Sequence, residues 1–253
     1  MMQTSLLHFT QIGEGEPVLF LHGFLESSTM WKYLNLSSLG RQCIFIDLPG
    51  HGNSALLNEI PPSIERMAER VLEITDELNL NSYSIVGHSM GGYVGLQLLK
   101  KDKHAQRLIL LNSNFWADPE EKKVDRRRVA DLVFKAKDFF LREAIPNLFL
   151  DAKNCQKAVE NLIDEAKKME PDAIAYASLA MAERPDLTEF VLDNLKRIFI
   201  LQGGEDHIVL KKNMEESLKS QSSYFVVENS GHMSHIEQPK IVLEFIKDSL
   251  KSG

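Results

Sequence analysis

The chain has 253 residues, 43% of them hydrophobic and 26% charged, and its 29 Lys and Arg stand against 36 Asp and Glu for a formal net charge of −7. That is the make-up of an ordinary globular protein with enough apolar side chain for a full core. The acidic balance argues against a nucleic-acid backbone or an anionic membrane surface as partner. The two cysteines, Cys43 and Cys155, form no CxxC pair and no cluster with histidines at zinc-ligand spacing, so neither a disulfide framework nor a metal is expected. The opening MMQTSLLHFTQ has no cationic segment leading into an apolar run, and no stretch approaches the ~18 apolar residues that span a bilayer. A cytoplasmic protein without stable membrane insertion is the expectation.

In chain order, short β-rich apolar runs alternate with helical patterns. Strands are expected at Leu7 to Ile12, Pro17 to Leu21, Cys43 to Asp47, Ser82 to Val86, Arg107 to Leu111, Arg197 to Gln202 and Ser223 to Val227. Helices are expected at Ile64 to Leu78, Gly91 to Lys100, Lys211 to Leu218 and Ile241 to Leu250. Most of the strand candidates are apolar on both faces, as buried parallel strands are. The alternation defines an α/β fold with a mostly parallel, doubly wound sheet of about seven strands.

One interval breaks the rhythm. From Phe115 to Leu195 the sequence carries helical pattern, as in VADLVFKAKDFFLREAIPNLFL and KAVENLIDEAKKM, and no convincing strand. A crossover between sheet strands needs far fewer residues. We read residues 115–195 as a helical lid inserted into a core formed by 1–114 and 196–253, set over the carboxyl edge of the sheet where open α/β sheets take their ligands. Phe134, Phe139, Phe140, Phe149, Met169 and Met181 are candidates to line a pocket under it, or to form its own core.

The run SYSIV leads directly into GHSMGG and then into YVGLQLLK, which is strand, GxSxG turn, helix, with Ser89 at the centre. In that turn the serine takes a strained backbone conformation that lifts its hydroxyl clear of the strand, and Gly87 and Gly91 leave room where strand and helix approach. A serine hydroxyl is a weak nucleophile, so it needs a base within hydrogen-bond reach and a third group to orient that base. Asp206 follows the strand RIFILQ in GGEDHIV, and His232 follows SYFVV in ENSGHMSHIEQP, so both emerge at the same sheet edge as Ser89. Glu205 and Asp118 are rivals for the acid. His235 is a rival for the base, although it sits at the expected start of the C-terminal helix. His22 and His88 are expected to brace the loops beside the site, and His51 a turn.

With these segments in hand, the chain resembles the α/β-hydrolase family over nearly its full length. GHSMGG matches that family's nucleophile elbow, GGEDHIV its acid loop, SGHMSHIEQP its histidine loop, LHGF its oxyanion segment, and DLPGHGNS the loop after the next strand. The resemblance implies Ser89 as nucleophile, Asp206 as orienting carboxylate and His232 as general acid and base. It also implies the backbone N–H groups of Phe24 and Met90 as the oxyanion hole, and no metal or organic cofactor. Family members often begin with an additional β-hairpin, for which the first sixteen or so residues here leave room for only one short strand.

The activity that this resemblance implies is hydrolysis of small or medium acyl esters through an acyl-enzyme, as in a carboxylesterase, with a small-molecule ester or thioester as partner. Two alternatives stand beside it. One is a lyase, synthase or carbon–carbon bond hydrolase built on the same residues, like the menaquinone-pathway relatives, for which Arg126, Arg127, Arg128, Arg142 or Arg184 would clamp a carboxylate. The other is a ligand-sensing protein that uses the pocket for binding alone.

Overall fold

The computed structural model describes residues 7–56, 60–218 and 223–251. Its elements in chain order are β1 (Phe9–Ile12), β2 (Pro17–Leu21), β3 (Gln42–Ile46), α1 (Ile64–Glu77), β4 (Tyr83–His88), α2 (Met90–Lys101) and β5 (Ala105–Leu111). There follow α3 (Glu120–Ala144), α4 (Gln156–Lys167), α5 (Pro171–Ala182), α6 (Thr188–Asp193), β6 (Ile198–Gly203), α7 (Lys211–Leu218), β7 (Tyr224–Val227), α8 (Ser234–Glu237) and α9 (Pro239–Lys251).

Successive side chains of a strand point to opposite faces, and in β2 they enter two different cores. Val18 and Phe20 join Val86, Ile109, Leu111 and Leu201 under Trp31 and the α9 residues Val242 and Ile246. Leu19 and Leu21 join Ile85, Leu108, Leu110 and Ile200 under Met67 and Val71 of α1, Val94 and Leu98 of α2 and Met214 of α7. A sheet covered on both faces this way explains why its strands read as unbroken apolar runs. Phe20 is wholly buried, and truncating such a side chain to alanine costs about 3–5 kcal/mol.

The described strands form one seven-stranded sheet in the order β1-β3-β2-β4-β5-β6-β7. Only β1 is antiparallel to its neighbour, pairing Phe9 with Ile46 and Ile12 with Cys43. The other pairings are parallel. The strands therefore stop together, with β2, β4, β6 and β7 delivering their following loops to one carboxyl edge. The expected strands fall within two residues of the observed ones. β1 starts at Phe9 because Leu7 turns inward to the core, while the edge residues Thr10, Gln11 and Ile12 are exposed.

Helix α1 begins where Ser63 accepts a hydrogen bond from the Arg66 N–H at 3.1 Å, satisfying one of the unpaired donors of a first turn. Its buried Ile64, Met67, Ala68, Val71 and Ile74 share one face. At the far end of the chain the expected single helix is two. Pro239 has no N–H to continue α8, and α9 starts there. His235 consequently sits in the one-turn α8, not at the head of the C-terminal helix.

Between β5 and β6 the described residues form helices and the loops that join them, with no strand. α3 runs for 25 residues with a break at Ala136, whose φ of −148° and ψ of 44° are not helical. Ala130 and Val133 of α3, Ala158, Leu162 and Ala166 of α4 and Ala173 and Ile174 of α5 share a third core with Leu25, beyond β2, and Met233, beyond β7. Those two contacts seat the helical segment on the carboxyl edge of the sheet. Among the described residues no helix is long and apolar enough to cross a membrane.

Candidate active site

Ser89 stands between the end of β4 and the start of α2 with φ 49° and ψ −115°, a left-handed conformation that costs a non-glycine residue on the order of 1–3 kcal/mol. The turn is held on both sides. The Ser89 N–H donates to the Leu111 carbonyl at 3.0 Å, and the Ser113 hydroxyl donates to the Ser89 carbonyl at 2.8 Å. A side chain at position 91 would run into the Leu21 carbonyl, so only glycine lets α2 start this close to β2.

His232 reaches this turn from the loop after β7. Its Nε2 lies 2.9 Å from Ser89 Oγ, and its Nδ1 lies 2.9 Å from Asp206 Oδ2. An ionised carboxylate only accepts, so Nδ1 carries the proton and Nε2 is left to accept from the serine hydroxyl. Asp206 is fixed by further donors. Its Oδ1 accepts from the Ile208 and Val209 N–H groups at 2.9 and 3.0 Å, and its Oδ2 also accepts from Asn112 Nδ2 at 2.9 Å. Burial by itself pushes this carboxyl pKa up, but His232 and these hydrogen bonds outweigh it and hold the group below its usual range.

The rivals lie elsewhere. Glu205 is exposed and accepts from the Ser230 N–H at 3.1 Å. Asp118 is bound by Arg184 at 2.7 Å and Arg126 at 3.1 Å. His235 is buried behind the site, its ring 4.8 Å from that of His88 and 5.9 Å from that of Trp31, and neither of its nitrogens has a hydrogen-bond partner. Burial depresses its pKa to about 3. His207 points to solvent. His51 donates from Nδ1 to the Pro49 carbonyl at 3.0 Å, bracing its turn. His22 bridges the Gly23 carbonyl and the Leu48 N–H at 2.8 and 2.9 Å, which fixes it as a neutral ring.

Two contributors are invisible in the sequence pattern. Asn112 donates to both Asp206 and the Gly231 carbonyl, the latter at 3.0 Å, so one side chain ties the acid loop to the histidine loop. Its φ of 48° is a conformation that asparagine tolerates better than most residues, and its place directly after a sheet strand was the available signal. The second is Glu26, buried beside His88 at 3.0 Å.

Ser89 and His232 open into a cleft of about 270 Å³ whose apolar wall includes Phe24, Val129, Phe140, Leu148, Met181 and Ile208. Of the aromatics and methionines singled out in the helical segment, Phe140 and Met181 thus face this cleft. Phe149 and Met169 are buried in the third core, and Phe134 and Phe139 are 57% and 64% exposed. Of the two residues expected as oxyanion donors, Phe24 lies on the cleft wall and Met90 in the first turn of α2, where N–H groups lack helical partners.

The cationic candidates divide as well. Arg127 binds Glu120 and Glu183, and Arg128 binds Asp125. Arg142 is exposed. Arg184 is buried, its guanidinium 4.2 Å above the Tyr93 ring and bound to Asp118. Only Arg126 lines the cleft, and it uses Nε on Asp118.

A doubly wound sheet with a strained serine elbow, a histidine and an aspartate at its carboxyl edge is the architecture of a hydrolase. Residues 16–239 match the alpha/beta hydrolase fold family, and the chain belongs to that family. It is similar to a thermophilic esterase from Thermogutta terrifontis, solved with malate bound, at 31% identity and a TM-score of 0.87, over 97% of this chain and 93% of that one. It is 25% identical over 252 residues to a Bacillus subtilis protein provisionally named a 2-succinyl-6-hydroxy-2,4-cyclohexadiene-1-carboxylate synthase, covering 94% of this chain and 91% of that protein. It is 26% identical over 237 residues to the dihydrolipoyllysine-residue acetyltransferase component of the acetoin cleaving system of Cupriavidus necator, of which it spans 61%.

Proposed function

We propose that the chain is a serine carboxylesterase that cleaves small or medium acyl esters through an acyl-enzyme. The observation that carries this reading is the unbroken relay from Ser89 Oγ through His232 to Asp206, both links at 2.9 Å, opening on a largely apolar cleft. The likeness to an esterase at 31% identity supports it.

In this reading Ser89 Oγ attacks the ester carbonyl carbon while His232 Nε2 takes its proton. Asp206 stabilises the imidazolium that forms. The carbonyl oxygen becomes an oxyanion held by the N–H groups of Phe24 and Met90, and one such donor is worth about 3–4 kcal/mol in a comparable hydrolase. His232 returns the proton to the leaving alcohol or thiol. Water, deprotonated by the same imidazole, then releases the acid and restores the serine. Residues 115–195 act as the lid, and Phe140 and Met181 shape the acyl pocket from it.

A panel of p-nitrophenyl esters from acetate to decanoate tests this. Hydrolysis by the wild type with a maximum at short or medium chains, lost in Ser89→Ala, is the expected result; no turnover of any member would refute it. A lyase or synthase acting on a carboxylate-bearing substrate is the second reading. It is favoured by Arg126, a cation on the cleft wall that binds Asp118 through Nε, and by the likeness to the synthase-named relative. Succinate or malate half-esters separate the two. A gain over the neutral ester that disappears in Arg126→Met supports a carboxylate subsite, and no gain removes that second reading.

A further inference from the structure

A second carboxylate–histidine couple lies beside the first. His88, the residue before the elbow serine, is wholly surrounded by protein. Its Nε2 is 2.9 Å from the backbone carbonyl of His232, and its Nδ1 is 3.0 Å from Glu26 Oε2. A carbonyl oxygen has no proton to give, so Nε2 must carry one. One further proton then remains to be shared between Nδ1 and Oε2. Oε2 already accepts the Gly23 N–H, which an ionised carboxylate oxygen does better than one that carries a hydrogen. The proton therefore belongs on Nδ1, which leaves a carboxylate facing an imidazolium.

The surroundings agree with this placement. The groups that face His88 are Glu26 from the loop after β2, His22 from the end of β2, Asp206 from the loop after β6, His232 from the loop after β7 and His235 from α8. His22 and His235 are neutral rings, and His235 meets His88 edge to face. Burial disfavours the charge on His88, yet Glu26, supported by the His232 carbonyl, outweighs it and raises the pKa. Burial likewise works against Glu26, and His88 outweighs it to bring that carboxyl down to about 2. A side chain on Gly23 would lie 2.8 Å from Glu26 Oε2 and 2.9 Å from His88 Nδ1, so glycine there is required by the pair itself.

We propose that Glu26 and His88 form a standing carboxylate–imidazolium pair whose role is to position, with Glu26 anchoring the Gly23–Phe24 backbone and His88 anchoring the His232 backbone. One ion pair thereby sets the spacing between the oxyanion donor and the base. Both residues border the cleft that holds Ser89, but the polar atoms that meet are committed to each other and to the Gly23 and His232 backbone, so the role proposed for them is positioning. The role rests on the esterase reading for its consequence in turnover and on geometry alone for its charge state.

The test is nitrogen NMR of 15N-histidine-labelled wild type at pH 8, together with steady-state kinetics of Glu26→Gln. That variant keeps an acceptor for Gly23 and removes the charge. The expected spectrum has one histidine protonated on both ring nitrogens, absent in His88→Gln and converted to a single-proton ring in Glu26→Gln. The expected kinetics are a kcat lowered on the order of 10²-fold with KM nearly unchanged, the effect of a small misplacement of reacting groups. A His88 ring with one proton at pH 8 in the wild type overturns the pair, whatever the variant does. Full kcat in a folded Glu26→Gln overturns the positioning role. Absence of any ester turnover in the wild type alongside a doubly protonated His88 would count against the esterase reading and leave the pair standing.

Discussion

Two histidines at the same sheet edge each face a buried carboxylate, and their differences lie in what the opposite ring nitrogen meets. Beyond Asp206, His232 turns Nε2 to a serine hydroxyl that can give up its proton. Beyond Glu26, His88 turns Nε2 to a carbonyl that has none. The first ring can accept and return a proton, and the second is held with both nitrogens occupied. In the proposed reading an imidazole and a carboxylate thus make a proton carrier in one place and a strut in the other, decided by what the far ring nitrogen meets.

The sharpest way to break this comparison is to remove the carrier. Ser89→Ala or His232→Ala should lower kcat on the order of 10⁴–10⁶-fold in ester hydrolysis, and the double variant should cost little more, because the residues act as a unit. Asp206→Asn should cost about 10⁴-fold by presenting the wrong ring proton to Ser89. A milder break is Asn112→Ala, which strips one donor from Asp206 and the bridge to Gly231. It should destabilise the fold by about 1–3 kcal/mol on thermal or urea unfolding, with kcat falling less than in Asp206→Asn.

The comparison sharpens with pH. Glu26 is held near 2 against an ordinary value of 4.5, so its stabilisation is complete above the ordinary value and is lost as pH falls toward 2. His88 is raised above 6.5, so its contribution is complete below that value and fades as pH rises through the raised one. The pair contributes most between about 4.5 and 6.5. The difference in Tm between wild type and Glu26→Gln should be largest in that window and shrink below it. The smallest effect belongs to His235→Ala: this ring has no hydrogen bond to lose, so ester turnover should keep most of its wild-type rate.

The strands, the elbow and the order serine, acid, histidine were legible because each rests on local rules: apolar runs for buried strands, a GxSxG between strand and helix, loops at strand ends. Glu26 was not, since HGFLES carries no pattern that distinguishes a buried acid from a solvated one, and its partner lies 62 positions away. Asn112 stands directly after β5, a position that hints at the site, but nothing around it in sequence says that its side chain turns to Asp206, 94 positions away. Phe139 and Phe140 defied reading for another. The break at Ala136 resets the helical phase of α3, so spacing counted from its first half does not tell which aromatic faces the cleft.

The most direct measurement of the central claim is mass spectrometry of the protein after brief exposure to an alkyl fluorophosphonate. A reactive elbow serine relayed to His232 should give one adduct, located on the peptide that contains Ser89, formed far more slowly in His232→Ala. Equal labelling of the Ser89→Ala variant, or an adduct on any other residue, would contradict it.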